Sequence, residues 1–164
     1  MAKFGKFKSF GDFIAAYEAA QQEEPDLTVA MAARVRRNPC RTRAIVDVKA
    51  VIKVHEPDDN DSKGGRHYRL RITLSEVVTN HEEVRADVQR CLDQNKRVFV
   101  AIRFGDSQGV TTEVTGIDVN DAVQLKGEWI PANKARSNGG ERVSVLHFTH
   151  HPCGFIQTED GRFQ

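Results

Sequence analysis

The sequence predicts a mainly β fold: a small closed OB-like barrel of five or six strands, with an N-terminal helical appendage and one helix between strands two and three. Three observations carry this expectation. From Ala44 onward the apolar residues recur every second position, the period of a half-buried strand. One stretch, about Asn80 to Gln94, instead repeats its apolar residues at helical spacing. Glycine and polar runs separate the strands, and Gly127 falls inside one of them, where a barrel needs a sharp bend or a close backbone approach. Closing the sheet removes edges that so short a set of strands would otherwise present. The helix departs from the usual OB order, which places it between strands three and four.

Residues 1–43 are expected to form the appendage and its basic linker, and 44–164 the barrel. Ser9 or Asp12 caps a first helix on which Phe10, Phe13, Ile14 and Tyr17 form a stripe. Pro25 interrupts it, and a second short helix through Leu27, Val29, Met31 and Val35 stops before Pro39. The first strand alternates Val46, Val48, Ala50, Ile52 and Val54 with Asp47, Lys49, Val51, Lys53 and His55. Glu56 to Gly65 reads as a long hairpin loop. The second strand turns Tyr68, Leu70, Ile72 and Leu74 inward and His67, Arg69, Arg71 and Thr73 outward.

The helix follows, with Asn80 as cap, Glu83 three residues on, and Val84, Val88, Cys91 and Leu92 as its apolar stripe. Val98 to Phe104 is the third strand. Val110 to Val114 is a short strand or a continuation after a bulge. Ala122 to Ile130 is the next, with Val123, Leu125 and Trp129 inward. After a polar loop, Pro131 to Gly140, the strand Val143 to His150 closes the sheet. Along it His147 and Thr149 are expected on one face, and Phe148 and His150 on the other.

With 24 Lys+Arg against 23 Asp+Glu the chain carries a formal charge of +1, so any electrostatic footprint is local. No apolar run reaches the roughly 18 residues of a membrane span, and the first residues lack the apolar core of a secretory signal. Cys40, Cys91 and Cys153 are widely spaced, odd in number and without a CxxC pair. They suggest neither a zinc finger nor a disulfide framework, and a reduced, cytoplasmic protein is expected.

Several motifs taken together, Arg66-His67-Tyr68-Arg69-Leu70, Gly127-Glu128-Trp129 and Leu146-His147-Phe148-Thr149-His150-His151-Pro152, resemble those of a small bacterial family of OB-fold-like domains of uncharacterised function. Its members carry a His-Trp-Thr-His-His-Asp-Pro segment, then a Gly-Trp-Ile and a terminal aromatic-Gln. Here the tail reads Gly154-Phe155-Ile156 and Phe163-Gln164. The resemblance spans about residues 44–164. It lacks the aspartate between His151 and Pro152, and the family's internal histidine near Ile117-Asp118-Val119. It implies the barrel and names no reaction.

Two kinds of chemistry are legible. Five arginines fall within ten residues, Arg34, Arg36, Arg37, Arg41 and Arg43. With Lys49, Arg69 and Arg71 they are candidate phosphate contacts on an outer strand face of the type OB barrels use for nucleic acid. Phe99 is the outward aromatic; Tyr68, Trp129 and Phe148 face outward only if the register slips by one. The second kind is a divalent-metal site built from His67, His147 and His150, with His55 as a further candidate ligand, where a bound water attacks a substrate and Glu128 or Asp47 orients a ring or acts as base. The expected function is a non-catalytic module contacting nucleic acid. The alternatives are a metal-assisted hydrolase and a protein-interaction subunit that docks through its N-terminal helices.

Overall fold

The computed structural model describes residues 40–60, 65–135 and 142–164, which belong to one unit, Cys40–Gln164. The expected N-terminal helices, with Arg34, Arg36 and Arg37, lie outside the described residues. Among the described residues there are seven strands: β1 Ile45–Asn60, β2 Arg66–Thr79, β3 Arg97–Phe104, β4 Ala122–Ile130, β5 Val145–His147, β6 Phe155–Thr158 and β7 Gly161–Phe163. Between β2 and β3 lie a 3-10 turn, Glu82–Val84, and the helix α1, Arg85–Asp93.

The sheet runs β1-β2-β3-β5-β4-β6-β7, and β1 also pairs with β4. Five strands therefore close on themselves, and β6 and β7 extend the sheet beyond β4. Closure depends on β1 serving two partners. Residues Ile45–Val51 pair with Glu128–Ala122 of β4 while the same strand ladders along β2. Four register shifts along the β1–β2 ladder supply the extra bend and twist that rolling up requires. The β3–β5 pairing is parallel and every other one is antiparallel.

Alternation sorts the side chains as the period of two predicts. Val46, Val48, Ala50 and Ile52 of β1, Leu70 and Ile72 of β2, Val98, Val100 and Ile102 of β3, Leu125 of β4 and Leu146 of β5 are at most 1% exposed. Burying such side chains is the main drive to close the barrel, about 25 cal/mol per Å² of apolar area. The 3-10 turn adds Val84 to the core and helix α1 adds Val88 and Cys91, and Val110, Val114 and Ile117 add to it from the β3–β4 connection.

Three sequence expectations change. The polar stretch after His55 is not all loop: β1 continues to Asn60 and pairs with the first residues of β2. A ladder needs only backbone groups, and Pro57, which has no N–H to give, falls in the register shift between Glu56 and Asp59. The cap at this end is His81 rather than Asn80, and it caps the 3-10 turn that leads into α1, with Nδ1 accepting from Glu83 N at 3.3 Å. Among the described residues, Val110–Val114 contributes an isolated bridge to Phe104 rather than a strand.

The C-terminal strand is shorter than expected, and the reason is local. β5 ends at His147 because Phe148 takes a left-handed φ of 57°, which breaks the alternation. Thr149 is then fully buried, and the chain turns through His150–Gly154 into β6, a strand the periodicity did not reveal. Two glycines permit this crossing. A Cβ on Gly127 would sit 2.3 Å from the His147 carbonyl oxygen, and one on Gly154 only 2.1 Å from that of Lys126.

The cysteine expectation is also overturned. Cys40 and Cys153 form a disulfide across 113 positions, with Cα atoms 5.4 Å apart; only Cys91 is free, and it is buried. Wide spacing hid the bond, because the fold and not the sequence brings the two residues together. The expectation of a reducing compartment loses the argument on which it rested. No described helix is long and apolar enough to cross a membrane.

Candidate functional site

The outer wall of β2 and β3 gathers cations by register. His67 lies opposite Arg103, Arg69 opposite Ala101, Arg71 opposite Phe99 and Thr73 opposite Arg97. All alternate with core residues, so they share the outward face. The parallel pairing of Phe99 with Val145 and of Val100 with Leu146 continues this wall onto β5. There His147, one step further, faces Glu128 across the β4–β5 ladder.

Three arginines of the wall have structural neighbours. Arg71 Nε donates to Glu56 Oε1 at 2.6 Å. Arg69 Nε donates to the Pro57 carbonyl at 3.0 Å and lies 3.9 Å from Glu56 Oε2. Arg103 holds Asp106 with both Nε (3.0 Å) and Nη2 (2.7 Å). This fork, with His67 nearby, keeps the Asp106 carboxyl below its ordinary value. Arg97 is exposed. Anchoring through Nε fixes the plane of a guanidinium while the long stem stays on the sheet.

Beside the wall is a second cluster. Glu128 Oε2 accepts from Arg43 Nη1 at 2.6 Å and lies 3.0 Å from His147 Nε2. The imidazole contact is electrostatic, since its direction does not satisfy a hydrogen bond. Burial works to raise the Glu128 carboxyl, but the His147 and Arg43 contacts outweigh it and hold the group below its ordinary value. The Arg43 guanidinium stacks 3.9 Å from the Phe148 ring centroid, and Phe148 in turn meets His147 edge-on and His150 at a tilt. His150 is pushed below its ordinary value, first by burial and also by Arg103 and His147. The disulfide lies next to this cluster in sequence, since Arg43 N donates to the Cys40 carbonyl at 3.0 Å.

The structure therefore distributes the sequence candidates unevenly. Arg69 and Arg71 stand together on the wall. Arg43 belongs to the Glu128 cluster, and Arg41 is exposed nearby in sequence. Lys49 lies toward the other end of β1, paired with Glu76 at 2.7 Å. Asp47 accepts from Gln124, and His55 meets Asp58 at 3.8 Å, so neither joins the other histidines. Tyr68 and Trp129 are core residues and Phe99 is the outward ring, as the register predicted, although it is only 7% exposed. Arg97 and Arg103 were missed; the inward run Val98, Val100, Ile102, Phe104 already implied that they point outward.

The metal expectation finds no site. Among the described residues no three His, Cys, Asp or Glu side chains come together to hold an ion. Arg103 lies across from His67 in the ladder and its charge acts on His150, so a fixed positive charge near both rings disfavours a divalent cation there. His150 Nδ1 is moreover engaged with the His151 carbonyl at 2.9 Å.

No protein family, no curated protein and no solved structure matches the chain.

Proposed function

We propose that the chain is an OB-like, non-catalytic binding module that contacts nucleic acid through the outer wall of β2 and β3. The observation that carries this reading is the register that lines His67, Arg69 and Arg71 against Arg97, Phe99 and Arg103 on one face. The barrel order β1-β2-β3-β5-β4-β1 is that of a five-stranded Greek-key barrel, in which the faces of strands two and three, flanked by the β1–β2 and β4–β5 connections, receive oligonucleotides. Lys134 and Arg142, both exposed, lie in the β4–β5 connection and extend the same charge. A near-neutral chain that concentrates cations on one wall suits local phosphate contact better than general adhesion to polyanions.

The rings on and around the wall point to the backbone of the ligand rather than its bases. Phe99 is buried, and Phe104 lies between Tyr68, stacked at 3.8 Å, and the Arg66 guanidinium. Guanidinium–phosphate pairing therefore supplies the contact. Arg69, Arg71, Arg97 and Arg103 make it, with His67 at the rim.

The test is the salt dependence of binding, read by anisotropy of labelled single-stranded and duplex oligonucleotides. Affinity is expected to fall steeply with salt, and R69A/R97A to flatten the log–log slope by about two contacts. Absence of binding at low salt to either oligonucleotide overturns the reading and leaves a protein-interaction module in its place.

A further inference from the structure

Strands β1 and β2 bring opposite charges together at one end of their ladder. Residues 56–60 of β1, Glu-Pro-Asp-Asp-Asn, carry three carboxylates in sequence; residues 66–71, Arg-His-Tyr-Arg-Leu-Arg, carry three arginines and a histidine. The ladder sets Glu56 against Arg69, Asp59 against His67 and Asn60 against Arg66. At its inner end Glu56 spans two cations, 2.6 Å from Arg71 and 3.9 Å from Arg69, and the adjoining Pro57 carbonyl accepts from Arg69. Arg71 is only 15% exposed at its side chain in this arrangement. A carboxylate and a phosphate offer a guanidinium the same thing, a pair of anionic oxygens.

We infer that the acidic end of β1 is a built-in competitor for the polyanion, with Glu56 as the carboxylate that closes Arg69 and Arg71. The inference rests on the nucleic-acid reading above and adds its regulation. Glu56 is tethered beside its arginines, so it competes at a high effective concentration that no dilution lowers. A phosphate reaching Arg71 exchanges one ion pair for another and sends Glu56 into water, which leaves little net gain from a single contact. Only a ligand presenting several phosphates at once recovers more, first of all from the exposed Arg97, than the exchange costs. The latch thus selects a phosphate chain over inorganic phosphate or a mononucleotide, and it responds to whatever draws Glu56 away.

The experiment compares E56Q with the wild-type chain and with E76Q, which removes the Lys49 partner away from the wall. E56Q is expected to bind a labelled oligonucleotide roughly two- to fivefold more tightly at low salt, the range an ion pair near the protein surface spans. Its salt slope should steepen by about one contact, and E76Q should match the wild type. E56D, which shortens the side chain by one methylene and withdraws the carboxylate from Arg71, serves as a second variant with the same expected direction. If the wild type binds and both Glu56 variants bind equally well or more weakly, the latch is overturned and the nucleic-acid reading stands. If none of the proteins binds at low salt, the reading and the latch fall together.

Discussion

Glu128 and Trp129 are neighbours on β4, yet each belongs to a carboxylate cluster of opposite character. Trp129 points inward, and its indole Nε1 donates to Asp87 Oδ2 at 2.8 Å. The same oxygen accepts from Ser144 Oγ at 2.7 Å, and Arg90 closes the other side of the carboxylate. Glu128 points outward, to Arg43 and His147. Asp87, 8% exposed, ties α1 to β4 and to the segment entering β5 through two neutral donors. Glu128 is matched by two side chains that are themselves partly exposed, Arg43 and His147. A buried carboxylate surrounded by donors is part of the framework, whereas a half-buried one between an arginine and an imidazole is adjustable. The alternation of a strand is enough to separate the two within a single residue.

The contrast orders the expected effects. Asp87→Ala strands the Trp129 N–H and the Ser144 hydroxyl inside the protein and is expected to cost about 3–5 kcal/mol in denaturant unfolding. A loss below about 1 kcal/mol would mean that water enters this end of the barrel and that Asp87 is not framework. Cys40→Ser opens the tether between the segment before β1 and the turn before β6. A cost of about 2–4 kcal/mol is expected, because a long loop is released in the unfolded chain; an unchanged urea midpoint would contradict the bond.

Glu128→Gln is smaller and depends on pH. The folded carboxyl titrates below its ordinary 4.5, so its stabilisation is complete above that value and is lost as pH falls through the lower folded one. The stability difference between wild type and E128Q should therefore shrink on acidification below 4.5, and a difference that grows there would reverse the assignment. His150 acts earlier on the same descent. Its folded value lies below 6.5, so the wild type should lose stability as pH drops from 6.5, and His150→Asn should remove that slope in thermal melts. The smallest effect belongs to Lys49→Ala, which breaks an exposed pair and should alter stability by no more than about 0.5 kcal/mol.

Periodicity made most of the barrel legible. The inward residues of the first four strands, the outward set His67, Arg69 and Arg71, and the crossing at Gly127 all follow from local pattern and residue type. What stayed hidden depended on contacts distant in sequence. The Cys40–Cys153 bond joins residues 113 positions apart, and no spacing rule anticipates it. β6 and β7 are too short to carry a period of two. Phe148 adopts a conformation that its side chain does not advertise, so the histidine segment did not continue as a strand. Asp87 was readable and overlooked: it falls three residues after Val84 and four before Cys91, on the apolar stripe of α1, where a carboxylate implies buried donors. The separation of Arg43 and Lys49 from Arg69 and Arg71 required the ladder itself, because charge spacing alone does not say which cations share a face.

The claim on which the functional account turns is that phosphate meets the β2–β3 wall. Amide chemical-shift mapping during an oligonucleotide titration locates the contact directly. The account predicts shifts concentrated at residues 67–71 and 97–103, fading as salt is added. Shifts centred on β6 and β7, or on α1 and the Asp87 network, would contradict it.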